Sequence, residues 1–358
     1  MKVCIIGNGL VSLTLANMLV QKNLSVDIVS SRKNNNYNRS RTLAISKSNI
    51  DYFNREIVNL NKISWPISKI KIYTEKNFDN EIIQFNNNQQ VFSIIKNYHL
   101  HKLLIQKLKK KKSVKFKSYK NYQNILNDKY KLIINCSLNH EITKKFFSNR
   151  IEKSYNSFAY TTIIDHKKIL NNTAYQNFTN NGPIAFLPIS KSQTAIVYSL
   201  RSVEKKNTHE LKKLIKKYNP VYSITKIENC SSFKLKSSNL RKYYKGNILA
   251  FGDLLHQIHP LAGQGFNMSI RDIKLLSDLI SKKINLGLEL DVSICHEFQK
   301  NSRDKNYLFS TGIDFIYELF NFESKIDSNF IGKSINLIGK NKTMNSLLKK
   351  FADIGIQT

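Results

Sequence analysis

Long apolar runs are missing from this sequence. Nothing approaches the ~20 consecutive apolar residues of a membrane-spanning helix, because Lys or Asn interrupts each stretch. An integral membrane protein is therefore not expected. Cysteine is sparse as well: Cys4, Cys136, Cys230 and Cys295 stand far apart, with no Cys-x-x-Cys pair. That spacing argues against a disulfide scaffold and against a clustered zinc site, and leaves buried free thiols as the expectation. Acidic residues number 25 against 57 Lys and Arg, for a formal net charge of +32. Taken alone, such a balance suggests nucleic acid or an anionic membrane surface. Yet only nine of the basic residues are Arg, and the Lys excess travels with heavy Asn and Ile usage, as an AT-rich coding sequence produces. Lys109 to Lys112 form the one dense basic run, with no aromatic stacking platform among them, so no nucleic-acid partner is expected.

What is present suffices for roughly two domains with cores of their own, given 358 residues and 41% apolar content. The apolar patch Val3-Cys4-Ile5-Ile6 is too short for a signal-peptide core, so a cytoplasmic location is expected. Residues 1–31 read as strand, glycine-rich turn, helix, strand, since Leu10, Leu13, Leu15, Ala16, Leu19 and Val20 recur at helical spacing between Val3–Ile6 and Val26–Val29. A polar loop over 33–40 precedes the apolar alternation of Arg41-Thr42-Leu43-Ala44-Ile45-Ser46 and a helix over 48–60. Strand-like stretches at Ile70–Tyr73 and Ile82–Phe85 lead to a helix over 97–111, with Leu100, Leu103, Leu104 and Leu108 on one face. Leu132-Ile133-Ile134 reads as a buried strand. Residues 155–200 then read as an antiparallel sheet with a turn at Asn181-Gly182-Pro183, followed by a Lys-rich helix over 204–218 and a strand pair over 223–236. The strand Ile248–Phe251 and a helix from 264 restore the first style, and helices and loops follow residue 290.

Chemistry is suggested at two places. Gly7-Asn8-Gly9-Leu10-Val11-Ser12 stands between the first strand and helix, where a dinucleotide-binding G-x-G-x-x-G belongs. Gly7 permits the tight turn, Gly9 lets the backbone approach a pyrophosphate, and the helix start at Leu10 and Val11 offers N–H groups and partial positive charge. Ser12 replaces the third glycine. Where an acidic residue normally binds the ribose, about 20 residues on, the chain has Ser30 and Ser31, whose hydroxyls are the candidates. A glycine-rich turn in another α/β fold explains the same residues. The second place runs Gly252-Asp253-Leu254-Leu255-His256-Gln257-Ile258-His259-Pro260-Leu261-Ala262-Gly263-Gln264-Gly265-Phe266-Asn267, then Met268-Ser269-Ile270-Arg271-Asp272. A strand delivers Gly252 and Asp253, placing a carboxylate where it could accept hydrogen bonds from a polyol, and Gly263 and Gly265 open a helix whose amides could face an anionic ring. His256 and His259 also suit plain packing roles, and no third ligand at suitable spacing makes them a metal site.

This second segment resembles the FAD-dependent aromatic hydroxylases of the para-hydroxybenzoate hydroxylase type, in particular their ubiquinone-biosynthesis branch. That branch carries G-D/N-x-x-H/Q-x-x-H-P-x-A-G-Q-G-x-N followed by x-x-x-R-D. The likeness extends to the N-terminal fingerprint, to Arg41–Ser46 and to Phe351-Ala352-Asp353-Ile354-Gly355. It implies an α/β fold in which a Rossmann-like FAD-binding domain (1–61, 96–151 and 239–290) is interrupted by a mainly antiparallel β substrate domain (62–95 and 152–238), with C-terminal helices over 291–358. It further implies bound FAD, with NAD(P)H as co-substrate. Gly7, Gly9, Leu10, Val11, Ser30, Arg41, Gly252, Asp253 and Gly263-Gln264-Gly265-Phe266-Asn267 would contact the cofactor, Asp253 at the ribitol and Arg41 near the flavin and its phosphates. Pro260 would sit at the reactive face of the ring, with His259 beside it as the other candidate at the catalytic centre. The implied reaction is O₂-dependent hydroxylation of a polyprenyl phenol or quinone precursor. Quinone-biosynthesis proteins are the implied partners, with peripheral contact at the inner face of a membrane through the basic surface and the apolar positions Phe315, Ile316, Leu319, Phe320, Leu347, Leu348 and Phe351. Two departures stand out: Ser137-Leu138 occupies the place of the family's Asp-Gly after the third strand, and Asn97-Tyr98-His99-Leu100 lacks its arginine. They leave a second reading open, a flavin-fold scaffold subunit without catalysis.

Overall fold

A computed structural model describes residues 1–30, 39–75, 83–86, 90–119, 121–202, 204–323, 353 and 355. Ser31, most of the 33–40 loop, Ile82, Leu347, Leu348, Phe351, Ala352 and Ile354 lie outside the described residues. The chain opens with β1 (Lys2–Ile6), α1 (Leu10–Gln21) and β2 (Ser25–Val29), the expected βαβ unit. Next come β3 (Thr42–Ser46) and α2 (Lys47–Tyr52). The helix expected to reach residue 60 stops being α-helical at Tyr52 and continues as a π turn over Phe53–Ile57, closed by the Val58 N–H on the Phe53 carbonyl. Phe53 and Ile57 are both buried, so the wider turn keeps both in the core. Then follow β4 (Ser64–Ile67), β5 (Lys69–Thr74), β6 (Ile83–Asn86) and β7 (Phe92–Lys96). After them come α3 (Asn97–Lys109), β8 (Val114–Lys117), α4 (Tyr122–Asn127), β9 (Leu132–Asn135) and α5 (Glu141–Phe146).

The middle of the chain supplies β10 (Arg150–His166), β11 (Thr173–Thr179), β12 (Gly182–Pro188), β13 (Gln193–Arg201), α6 (Thr208–Lys217), β14 (Ile224–Ile227) and β15 (Ser231–Leu240). It closes with β16 (Tyr244–Lys245), β17 (Ile248–Ala250), β18 (His256–Gln257), α7 (Gln264–Asn285) and α8 (Val292–Glu323).

One sheet has the order β16-β17-β9-β1-β2-β8 and is parallel except at β16. Its central strands read as unbroken apolar runs because helices cover both faces, and Val3 to Ile6 are all buried. A second sheet runs β18-β15-β10-β13-β12-β11-β5-β6, with β14 also on β10. It is antiparallel except between β11 and β5, and it packs Tyr160, Phe186, Ile196 and Tyr198 against Leu211 and Ile215 of α6.

Two local expectations change. The turn falls at Asn180-Asn181, because Thr179 pairs with Gly182 across β11 and β12. Gly182 opens β12 at φ +120°, pressed against the Ser199 carbonyl, where a Cβ would stand 2.0 Å away; Pro183 is already in the ladder opposite Phe178. The other change is a third sheet, β3-β7-β4, which ties Thr42–Ser46 and Ser64–Ile67 to Phe92–Lys96. Among the described residues no helix is long and apolar enough to cross a membrane.

Candidate functional site

The parallel sheet builds a crevice at the carboxyl ends of three neighbouring strands, where the order switches from β2-β1 to β1-β9, the usual ligand position in such sheets. β1 delivers Gly7, β9 delivers Cys136, and β17 leads through Phe251 to Gly252 and Asp253. Gly7 turns at φ +117° with its N–H on the Val29 carbonyl, and a Cβ there would stand 3.0 Å from the Ser12 hydroxyl and 3.6 Å from Cys136 Cβ. Gly9 is the N-cap of α1 and offers no side chain to its first N–H groups; a Cβ at this position would meet nothing within 4 Å. The first-turn N–H groups thus have no side-chain cap from the N-cap residue. Gly252, at φ +66°, leans on Val11, whose Cγ1 would stand 3.0 Å from a Cβ, so the two motifs are in direct contact. Ser30 sits at the end of β2, its N–H on the Lys117 carbonyl.

Asp253 is exposed on one side and crowded by protein on the others. That crowding lifts its carboxyl above the usual range, against the pull of His256 and Arg41. Arg41 approaches from β3 with its guanidinium 4.6 Å from the centre of the Phe233 ring of β15, so the arginine spans from the cofactor crevice to the large β sheet. The structure adds Cys136 to the crevice. Its only sequence signal is its place after a buried strand. Burial pushes its thiol up to about 12, opposed by a hydrogen bond with Ser12 and reinforced by Asp253, so it stays protonated. Ser137, in the place of the expected acidic residue, is tied locally: its N–H donates to Asn135 Oδ1 (3.0 Å) and its carbonyl accepts from Thr143 Oγ1 (2.5 Å).

The loop before α7 rests on β3. Gly263 has φ +65°, and a Cβ would stand 2.8 Å from Ala44 Cβ. Asn267 is wholly committed to protein partners: its Oδ1 accepts from Ser46 N (3.0 Å) and Asn49 Nδ2 (2.9 Å), and its Nδ2 donates to the carbonyls of Ala44 (2.7 Å) and Gly263 (3.1 Å). Its side chain therefore shapes the loop instead of reaching outward. Phe266 likewise turns into the core against Phe53, whereas the buried Gln264 keeps Oε1 without a partner among the described residues. A Cβ at Gly265 would meet Ile258 Cγ1 at 3.9 Å.

The two histidines separate. His256 is buried with its Nε2 2.7 Å from Asp272 Oδ2, and Asn306 donates to the other carboxylate oxygen. His259 is fully buried between Tyr317, stacked at 4.2 Å, and Tyr155, edge-on at 5.1 Å, with neither ring nitrogen hydrogen-bonded among the described residues. Burial pushes its pKa down to about 3, so the ring is neutral. Tyr155 in turn bonds Asp314 of α8. The structure thus gives His259 a packing environment, and only the half-buried Pro260 of the pair reaches toward the loop.

Sequence comparison finds a match to the FAD binding domain family over residues 148–285. The 3-demethoxyubiquinol 3-hydroxylase of Escherichia coli is 28% identical over 156 residues, which cover 41% of this chain and 40% of that protein. The ubiquinone biosynthesis monooxygenase COQ6 of Dictyostelium discoideum is 23% identical over 97% of this chain and 90% of that protein. Among solved structures, p-nitrophenol 4-monooxygenase PnpA from Pseudomonas putida superposes with a TM-score of 0.78 at 12% identity, covering 99% of this chain and 98% of that one. HpxO from Klebsiella pneumoniae, solved with FAD and uric acid, gives 0.76 at 10% identity, covering 99% and 96%.

These comparisons liken the chain, in sequence and in fold, to the class of FAD-dependent monooxygenases. Within that class the chain is similar to the hydroxylases of ubiquinone biosynthesis. The residues fit FAD on structural grounds: the open space at Gly9, the uncapped start of α1, the exposed Asp253 carboxylate and the unpartnered Gln264 oxygen all lie along the strand-end crevice and the adjoining loop.

Proposed function

We propose that the protein hydroxylates the aromatic ring of a polyprenyl phenol or quinone precursor, consuming NAD(P)H and O₂ and releasing NAD(P)⁺ and water. When bound, FAD supplies the redox chemistry that places one oxygen atom of O₂ on the ring. The remaining work falls to the chain. The start of α1 and Gly7–Gly9 would hold the pyrophosphate, Ser30 the ribose and Asp253 the ribityl hydroxyls. Gly263–Asn267 would set the edge of the ring system against the amides that begin α7, where partial positive charge stabilises an electron-rich ring. Arg41, braced on Phe233, would close the cofactor side against the β-rich part (62–95 and 152–238), which we assign to substrate, and Pro260 would border the reaction space. His259 takes no proton-transfer role here, because it is neutral and sealed by tyrosines.

The observation that supports this most is the meeting of Gly7, Val11, Cys136 and Gly252-Asp253 at one strand-end crevice. Purified protein should be yellow, and its NAD(P)H oxidation should rise with a phenolic polyprenyl compound. Asp253→Ala should lower FAD affinity by roughly tenfold or more, as expected for losing a charge-assisted hydrogen-bond acceptor. A wild-type protein that binds no FAD would refute the reading. The locally tied Ser137 favours the scaffold alternative, since it removes a carboxylate from the cofactor edge. Equal rescue of a hydroxylase-deficient strain by wild type and Asp253→Ala would select that alternative.

For location, we propose peripheral contact with an anionic membrane through α8. Leu308, Phe315 and Phe322 recur every seven residues on one exposed face, whereas Ile316 and Leu319 pack inward against Met268 and Phe309; the side chain of Phe320 lies outside the described residues.

A further inference from the structure

The loop before α7 is gripped from far along the chain. Asn267 fixes Gly263 to the turn between β3 and α2 through Ala44, Ser46 and Asn49. Asp353 holds the opposite side of that same turn. Its Oδ1 accepts the Ser48 N–H (3.1 Å), and its backbone carbonyl accepts the hydroxyls of Ser46 (3.2 Å) and Ser48 (3.3 Å). Ser46 is the N-cap of α2 but makes no capping bond with its own side chain, so Asp353 provides the missing acceptor at the helix start, where a carboxylate is favoured.

Charge beneath the turn makes the carboxylate matter further. Burial pushes Lys274 down to about 8 and Arg271 down to about 10, and in both cases Asp353 opposes the shift. Lys274 Nζ also donates to Asn49 Oδ1 (2.8 Å), linking it to the Asn267 cluster. Gly355 lies on the Arg271 guanidinium at φ +74°, where a Cβ would stand 3.0 Å from the guanidinium carbon. Two partly buried cations and one turn thus share the Asp353 carboxylate, with Asp272 also acting on Arg271 and Asp51 on Lys274.

We propose that Asp353 is a positioning residue for the Gly263–Asn267 loop, acting through the Ser46–Ser48 turn and Asn267, so that Asp353 sets how firmly the flavin ring's seat is held. Its link to flavin rests on the function proposed above; the mechanical coupling does not.

Amide hydrogen exchange on the full-length apoprotein tests the coupling. Asp353→Ala should speed exchange about tenfold at residues 46–49, as loss of a helix cap does, and by a similar factor at 263–267. Asp353→Asn keeps an acceptor and should restore most of the protection. Gly355→Ala, whose added Cβ presses on Arg271 beside Asp353, should loosen the same two segments. In the FAD-loaded protein, Asp353→Ala should release flavin about tenfold faster by fluorescence and shift its visible band. Wild-type protection at 263–267 in both alanine variants overturns the proposal. A wild-type chain that takes up no flavin refutes the function instead, and the exchange comparison still decides the coupling.

Discussion

Gly263 is the position where the site has least room. Its φ of +65° is one that residues with a Cβ seldom adopt, and the added carbon would meet Ala44 at 2.8 Å. Gly263→Ala should cost about 1–3 kcal/mol of stability through combined backbone strain and clash, and flavin affinity should fall with it; a melt and a fluorescence titration read both. His259 makes a different prediction, because its folded pKa lies near 3, below the ordinary histidine value. The folded state resists the proton that the unfolded chain accepts below about pH 6.5, so stability is full above that value and declines as pH falls toward 3. Between pH 7 and pH 5 the decline should be about 2 kcal/mol from this group, and His259→Leu should flatten the Tm profile there. A profile identical to wild type would show that the ring is reached by water. The sequence displayed the His259-Pro260 pair but not its surroundings: Tyr155 and Tyr317 come from elements 104 and 58 residues away, and no spacing rule connects them. The Arg41 stack on Phe233 was hidden for the same reason, whereas Gly7 and Gly252-Asp253 were legible because each ends a short apolar run.

Elements joined by a single buried charge offer a second scale of test. Asp27 lies within β2, buried, and receives Lys2 from β1 (3.0 Å), Lys117 from β8 (2.8 Å) and the Tyr130 hydroxyl (2.6 Å). Burial alone would raise its pKa, but these three hydrogen bonds hold it below the usual carboxylate range. The contribution is therefore present above about pH 3.9 and lost as pH falls through the lower folded value. Asp27→Asn should destabilise by about 1–3 kcal/mol at pH 7, less than a fully buried pair because both lysines are partly in water. Its acid unfolding curve should lose that step. A variant as stable as wild type at neutral pH would assign the three strands to packing alone. At this scale the βαβ opening was legible because periods of 2 and 3.6 alternate cleanly in residues 1–31. The three-stranded sheet was not: Leu43 pairs with Ile95 across 52 residues, and register between distant strands leaves no local trace. The turn at Asn180-Asn181 was misplaced by one step because Gly182-Pro183 looks like a turn pair, while the ladder needs the glycine for close approach to Ser199.

For the molecule as a whole, the proposed membrane contact draws on both the charge of +32 and the exposed stripe Leu308, Phe315 and Phe322. Vesicles containing anionic lipid should retain the protein at low salt, with retention falling as salt screens the surface charge. Phe315→Asp with Phe322→Asp should weaken retention about tenfold even at low salt, since two apolar anchors are replaced by like-signed repulsion from the lipid. Wild-type protein that stays in the supernatant would refute the contact. The crevice itself has a consequence for biogenesis. Its three edges, Gly7, Cys136 and Gly252, are contributed by strands that sit side by side yet are made far apart in time. At a synthesis rate of ~5–20 residues per second, β1 waits roughly 12–50 s for β17 to emerge. During that interval the fingerprint turn exists without its third wall, so cofactor capture must be a late event on the ribosome or a post-translational one. A chain that meets flavin before β17 has emerged would have only part of the seat to offer it.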